Sequence, residues 1–315
     1  MSRRPELDDQ ALPTKDLIGV PIILGCAAML GRYSKRESLY ALDHAVCLGI
    51  RRFDTAQSYG YGLGEAWLGR YLSQKVRDAE VITKYGIAPA VGLRANLIRG
   101  FRSGIPGVLA WQWHRKFRDV EPWSKRSILN AIDQSRRNLH KDQIWAFLLH
   151  SPPIEITADD QWKEALYEAK QRQWVLHAGV CCGGQQAGLF NAPGLDHQFD
   201  QNLLLPKANK TVGQRWLNHV YGGRSGFEMI RAKLLSMLQR RSDDWYEELE
   251  RDSILFNECL LRTTLAYGQG DALVLAMFKL EHQQANFDAL RAPRLPDKLI
   301  QSLNCQLAEP IGNTW

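Results

Sequence analysis

The 315-residue sequence has no Cys-x-x-Cys pair and no cluster of cysteine with histidine at metal-ligand spacing. Its six cysteines, Cys26, Cys47, Cys181, Cys182, Cys259 and Cys305, are scattered along the chain. That spacing excludes a zinc finger or ribbon and predicts no metal site. Long hydrophobic runs are missing too: the longest, residues 18–30, is too short to span a bilayer and is interrupted by Pro21, so no membrane association is expected. No Gly-x-Gly-x-x-Gly follows an early strand pattern, which argues against a Rossmann domain. Neither sign of charge dominates, with 40 lysines and arginines against 34 aspartates and glutamates, a net +6. A nucleic-acid surface would need such a small surplus gathered into one stripe, and no nucleic-acid partner is expected. Behind Met1-Ser-Arg-Arg4 there is no apolar segment of the kind a secretory signal carries, so a cytoplasmic protein with reduced thiols is the expectation.

What the chain does have is apolar residues, 45% of the total against 23% charged, which excludes disorder as the main state. After a polar leader (residues 1–16), short β-branched runs alternate with stretches at helical spacing. Strands are predicted at 20–24, 50–53, 81–84, 144–150, 175–181, 198–204, 214–220 and 272–277. Between them lie helical patterns. One is opened by the capping box Ser34-Lys-Arg-Glu37 and closed at Gly49; others cover 64–72, 124–139, a stretch capped at Thr157, 227–238, 253–267 and 280–290. Eight strands alternating with helices imply a parallel sheet covered by helices. At this length a closed (β/α)8 barrel, an α/β TIM barrel, fits better than two open sheets. Residues 17–315 then form one barrel domain, with 87–123 as a long insertion after the third strand that overhangs the mouth. Residues 240–252, rich in charge of both signs, read as a solvated helix or loop face.

In such a barrel the functional side chains sit where strands end at their C-terminal side. Four polar groups fall there: Asp54, Tyr59 in the loop behind it, Lys84 and His150. Taken singly, each has an ordinary structural reading. Together they form an acid-base device. A nearby ammonium lowers the cost of a phenolate, a carboxylate holds that ammonium in place, and an imidazole can bond a substrate oxygen. Tyr59 as general acid at a carbonyl oxygen implies a hydride donor on the other side, hence a nicotinamide cofactor.

These residues lie in segments that resemble the aldo-keto reductase family. Arg52-Phe-Asp-Thr-Ala-Gln-Ser-Tyr-Gly60, followed by Gly64-Glu65 and Leu68-Gly69, is similar to that family's signature around its catalytic aspartate and tyrosine. Val81-Ile-Thr-Lys84 is similar to its lysine strand, and Phe147-Leu-Leu-His-Ser-Pro152 to its histidine strand. The likeness runs from about Ile22 to Leu307 and is more specific in the first half. It implies a (β/α)8 barrel and NAD(P)H-dependent reduction of an aldehyde or ketone to an alcohol, with Asp54, Tyr59, Lys84 and His150 as the catalytic set.

The resemblance also implies a cofactor cleft, and there this sequence departs from it. Gly179-Val-Cys-Cys182 stands where the family has Gly-Val-Ser-Asn, placing the thiols of Cys181 and Cys182 where hydrogen-bonding side chains clamp the nicotinamide carboxamide. Gln198 matches the glutamine of that clamp, and His219 falls about where an aromatic ring stacks on the nicotinamide. In Ala276-Met-Phe-Lys-Leu-Glu-His-Gln-Gln-Ala-Asn286 the remaining contacts for an adenosine 2′-phosphate are Lys279, His282 and Asn286, a thin pocket; NADP(H) rather than NAD(H) is the expected cofactor.

Residues 87–120 carry six bases, including Arg94 and Arg99, against the single acid Asp119, with Trp111 and Trp113 interleaved. Two readings stay open. One is a lid in which Arg94, Trp111 and Trp113 meet an anionic or sugar-like substrate; the other is a solvated insertion whose tryptophans pack back on the barrel. The expected partner is a small-molecule carbonyl compound, and the chain is expected as a monomer or homodimer. The alternative to an enzyme is a barrel of this kind with little or no activity that serves as a binding or regulatory subunit.

Overall fold

A computed structural model describes residues 21–89, 123–240, 245–291 and 293–308. The polar leader and most of the insertion lie outside these residues. Eight parallel strands close into a barrel in chain order: β1 (Ile22–Gly25), β2 (Arg52–Asp54), β3 (Glu80–Tyr85), β4 (Ile144–His150), β5 (Val175–Cys182), β6 (Asp196–Asp200), β7 (Arg215–Asn218) and β8 (Ala272–Leu275). The seam is shut by β1 on β8, with Ile22 opposite Leu273 and Leu24 opposite Leu275. Alternation along each strand sends one set of side chains to the axis and the other to the helices. Ile23, Ile82, Ala146, Leu148, Trp216 and Val274 pack inside, so the barrel is filled rather than open. Phe53, Phe147 and Phe199 belong to the larger core shared with Leu68, Ile128 and Leu166 of the helices.

Among the described residues the helices are α1 (Lys35–Cys47), α2 (Gly64–Lys75), α3 (Lys125–Leu139), α4 (Gln161–Gln171), α5 (Gly223–Gln239), α6 (Trp245–Arg251), α7 (Ser253–Gly268), α8 (Leu280–Arg291) and α9 (Asp297–Ala308). The box ahead of α1 is complete: Glu37 N–H donates to Ser34 Oγ at 3.3 Å, and Ser34 N–H donates to the Glu37 carboxylate at 2.7 Å. Ser124 caps α3 without the return bond, its Oγ accepting from Ser127 N–H at 3.3 Å.

Several elements differ from the sequence expectations. Thr157 is not a helix cap. Its hydroxyl donates to the Ile154 carbonyl inside a short 3-10 turn, and α4 begins only at Gln161, whose N–H is taken by Asp159. β6 starts earlier and ends at Asp200, because Asn202 Oδ1 accepts from Leu204 N–H and turns the chain out of the sheet. β7 stops at Asn218, since His219 has φ of +54°. The charged stretch 240–252 holds α6, whose charged residues are exposed in keeping with the expected solvated face, while Leu249 is buried in the core shared with α5 and α7; residues 241–244 lie outside the described set. Finally, α9 adds an element not anticipated after residue 290, packing on α7 through Leu299, Ile300 and Leu303.

Candidate active site

At the C-terminal end of the barrel Asp54, the last residue of β2, and Lys84, the last but one of β3, make a buried ion pair, Lys84 Nζ to Asp54 Oδ2 at 2.5 Å. Lys84 also donates to the Thr55 carbonyl at 3.0 Å. Both partners are almost wholly removed from water, with side chains 1% and 4% exposed. The Lys84 ammonium stands 5.2 Å from the centre of the Tyr59 ring and hydrogen-bonds its hydroxyl. On the other side the Tyr59 ring meets His150 edge-on, with ring centres 6.1 Å apart. The four groups singled out in the sequence thus lie together.

Their electrostatics follow from burial. Desolvation pushes the Asp54 carboxyl up, opposed by Lys84 and by a hydrogen bond from Gln198. Desolvation alone would lower Lys84, but Asp54, Tyr59 and Cys181 outweigh it and hold the ammonium charged. Burial pushes the Tyr59 phenol up to about 12, even though Lys84 pulls the other way. The lysine lowers the cost of the phenolate as expected but offsets only part of the burial. Burial, reinforced by Lys84, takes His150 down to about 3, so its imidazole is neutral at physiological pH.

The backbone around these groups is held at several points. Gln57, unremarked in the sequence, ties the loop behind β2 to α3: its amide donates to the Ala131 carbonyl and to Ser135 Oγ, each at 2.9 Å. Its own N–H donates to the Lys84 carbonyl at 3.0 Å. Gly60 follows Tyr59 with φ of +58°, and a Cβ there would stand 3.1 Å from the Met29 carbonyl, so the turn that presents Tyr59 requires glycine. Gly86, beyond β3, has φ of +134°; a Cβ there would meet Trp123 at 2.2 Å and the His150 carbonyl at 2.9 Å. Trp123 also stands edge-on to Tyr85, so it seals the wall beside His150. Glu65, part of the signature, is a strut: it accepts from Thr83 and Asn138 and joins α2 to β3 and α3.

Residues 21–184, just over half of the chain, match the sequence pattern of the Aldo/keto reductase family. The chain belongs to that family. An uncharacterized oxidoreductase of Bacillus subtilis, YqkF, is 31% identical over 169 residues, covering 54% of this chain and 47% of that protein. The pyridoxal 4-dehydrogenase of Microbacterium luteolum is 29% identical over 155 residues, covering 45% and 43%. The D-threo-aldose 1-dehydrogenase of a Pseudomonas species is 32% identical over 123 residues, covering 38% and 35%. The chain thus spans less than half the length of these relatives. Among solved structures, the aldo-keto reductase AKR11C1 of Bacillus halodurans in its holo form shares the fold at 18% identity, with a TM-score of 0.63 over 92% of each chain. The glycerol dehydrogenase AKR11B4 of Gluconobacter oxydans does so at 17% identity, with a TM-score of 0.63 over 97% of this chain and 98% of its own.

The aldo/keto reductase family implies a nicotinamide cofactor, and the residues at the mouth can be tested against one. Cys181 and Cys182 are buried thiols, each raised to about 12 mainly by desolvation; they are neutral and weak hydrogen-bonding partners. Gln198 fits better. It is 2% exposed, bonds Asp54, and its Oε1 is buried without a partner, an acceptor suited to an amide N–H. His219 carries an exposed side chain one residue past β7, and it is Asn218 that strand alternation turns inward. Lys279 and His282 are exposed together at the start of α8, and Lys279 makes only a long ion pair with Glu281 at 3.9 Å. Asn286 is buried and engaged, accepting from the Tyr221 hydroxyl at 2.5 Å and donating to Met277 Sδ at 3.1 Å. The mouth therefore fits a ring bearing a donor amide, held from β6 rather than from the thiols of β5. Arg94, Trp111 and Trp113 lie outside the described residues. Among the described residues no group of three or more histidines, cysteines or acids could hold a metal, and no helix is long and apolar enough to cross a membrane.

Proposed function

We propose that this chain is a nicotinamide-dependent reductase of aldehydes or ketones in which Tyr59 delivers the proton. The observation that carries the reading is the buried Lys84–Asp54 pair beneath the Tyr59 hydroxyl. A nicotinamide dinucleotide, its ring held by Gln198, would supply hydride-transfer chemistry at the mouth. The neutral His150 ring donates an N–H to the carbonyl oxygen and orients it; held down to about 3, it is not an imidazolium acid at neutral pH. Tyr59, protonated across the physiological range, transfers its proton to that oxygen as negative charge builds there. The phenolate left behind is stabilised by the Lys84 ammonium, which Asp54 keeps charged, and is reprotonated from water.

Residues 17–315 are read as one barrel domain with 87–123 inserted over the mouth. The six bases of that insertion, with Trp111 and Trp113, support an anionic or sugar-like substrate. So do the aldose and pyridoxal dehydrogenases among the relatives and the glycerol dehydrogenase among the structures. Lys279 and His282, both exposed around the start of α8, support NADP(H) over NAD(H). The second reading, a weakly active or inactive scaffold, is favoured by one observation, the thiols at 181 and 182.

Replacing Tyr59 with Phe separates these readings. Turnover of a carbonyl panel should fall by roughly a thousandfold or more, with cofactor affinity within about twofold of the original. Matched neutral and phosphorylated aldehydes in the same assay read the substrate preference. A Tyr59→Phe protein that keeps its activity would sink the mechanism.

A further inference from the structure

Among the described residues, two side-chain carbonyls on one wall of the barrel have no hydrogen-bond donor: Gln198 Oε1 on β6 and Asn218 Oδ1 at the end of β7. For Gln198 the amide nitrogen helps to hold the charge of the acceptor-only carboxylate of Asp54, which leaves Oε1 as the free end. Asn218 lies two residues beyond Trp216, which packs in the barrel interior beside Cys181, so alternation gives Asn218 the same inner face one pleat nearer the mouth. The register sets Gln198 opposite Trp216 and Asp200 opposite Asn218, so the two free oxygens are one pleat step apart on adjoining strands. A buried acceptor without a donor is costly to leave so. Two of them together at a barrel mouth mark a place shaped for a ligand that brings donors.

The donor chemistry is narrow. A hydroxyl offers one hydrogen, whereas the nitrogen of a primary amide offers two that diverge from one atom. The neighbouring β5 turns only the neutral thiol of Cys181 to the barrel interior, while Cys182 lies in the outer core. The geometry points to Asn218 as a recognition residue for the carboxamide of the nicotinamide ring, accepting one N–H while Gln198 accepts the other. Recognition is thereby moved from β5 to β6 and β7. This inference rests on the proposed nicotinamide-dependent reading and specifies how the ring is told apart from its analogues.

The test is calorimetric binding of NADP+ and NAD+ against their 3-acetylpyridine analogues, which keep the ring carbonyl but replace the amide nitrogen with a methyl group. The wild-type protein should prefer the carboxamide form by about three- to tenfold, the value of one or two hydrogen bonds. Asn218→Ala and Asn218→Leu should each reduce that preference to within about twofold. ADP-ribose and its 2′-phosphate, which lack the ring, should bind all three proteins alike, showing that the variants fold. A preference that survives in both variants, or is absent from the wild type, overturns the role of Asn218 and leaves the reductase reading standing. Failure of the wild type to bind any of the dinucleotides overturns that reading and this inference with it.

Discussion

Burial decides what each titratable group at the barrel mouth can do. Tyr59 at about 12 and His150 at about 3 are pushed apart by the same desolvation, so one stays a phenol and the other a neutral imidazole across the working range. In the reductive direction kcat should therefore show no His150 inflection between about pH 5 and about pH 9, and should fall only as Tyr59 loses its proton in strong alkali. In the oxidative direction Tyr59 must start as phenolate. That rate should rise with pH, about tenfold per pH unit, until the phenol titrates. A pH series in both directions checks both signs, and a reductive rate that follows an acid near pH 6.5 would put the proton on His150 instead. At this scale Asp54, Tyr59, Lys84 and His150 were legible because each closes or follows a recognisable strand. The direction of the phenol shift was not, because desolvation depends on what lies above and around the ring. Asn218 went unmarked as well. Its role depends on inward parity with Trp216 and on a carbonyl left unpaired, and only the second requires the folded chain.

Local side-chain chemistry explains which elements the sequence places well. α1 and α3 have serine caps that satisfy N–H groups of their first turns, β4 is a long apolar run, and β3 and β5 are each built on a short apolar stretch, so their bounds lie within two residues of expectation. The misplaced elements are those where a polar side chain competes with the regular structure. Asn202 turns the chain off β6, and Thr157 bonds back to Ile154 and leaves the cap to Asp159 and Asp160. α9 could have been found from Leu299, Ile300, Leu303 and Leu307, which recur at helical spacing. Between the elements, the turn at Gly86 presses closest on the site. Gly86→Ala places a methyl group in the space held by Trp123 and against the His150 carbonyl, and does so at a backbone angle that alanine resists. The expected result is a Trp123 fluorescence shift with kcat lowered by about tenfold or more, while cofactor affinity stays within about twofold. Unchanged fluorescence and unchanged kcat would show that the wall beside His150 is not held by this contact.

At the scale of the whole molecule, the barrel and its family were legible from strand count and motif order, because a closed parallel sheet leaves little freedom in how eight alternating units connect. The net charge of +6 is concentrated rather than spread: residues 87–120 carry a net +5, leaving about +1 for the remainder. The charge is thus a property of one inserted segment. The same whole-chain view makes cofactor binding the decisive question, since the catalytic set is assembled while the β5 clamp is reduced to thiols. The measurement that answers it is a fluorescence titration of the purified protein with NADPH and with NADH. The account predicts saturable binding of at least one of them in the micromolar range, with NADPH the tighter. No binding of either at millimolar concentration would contradict it and leave an aldo/keto reductase barrel that performs no nicotinamide chemistry.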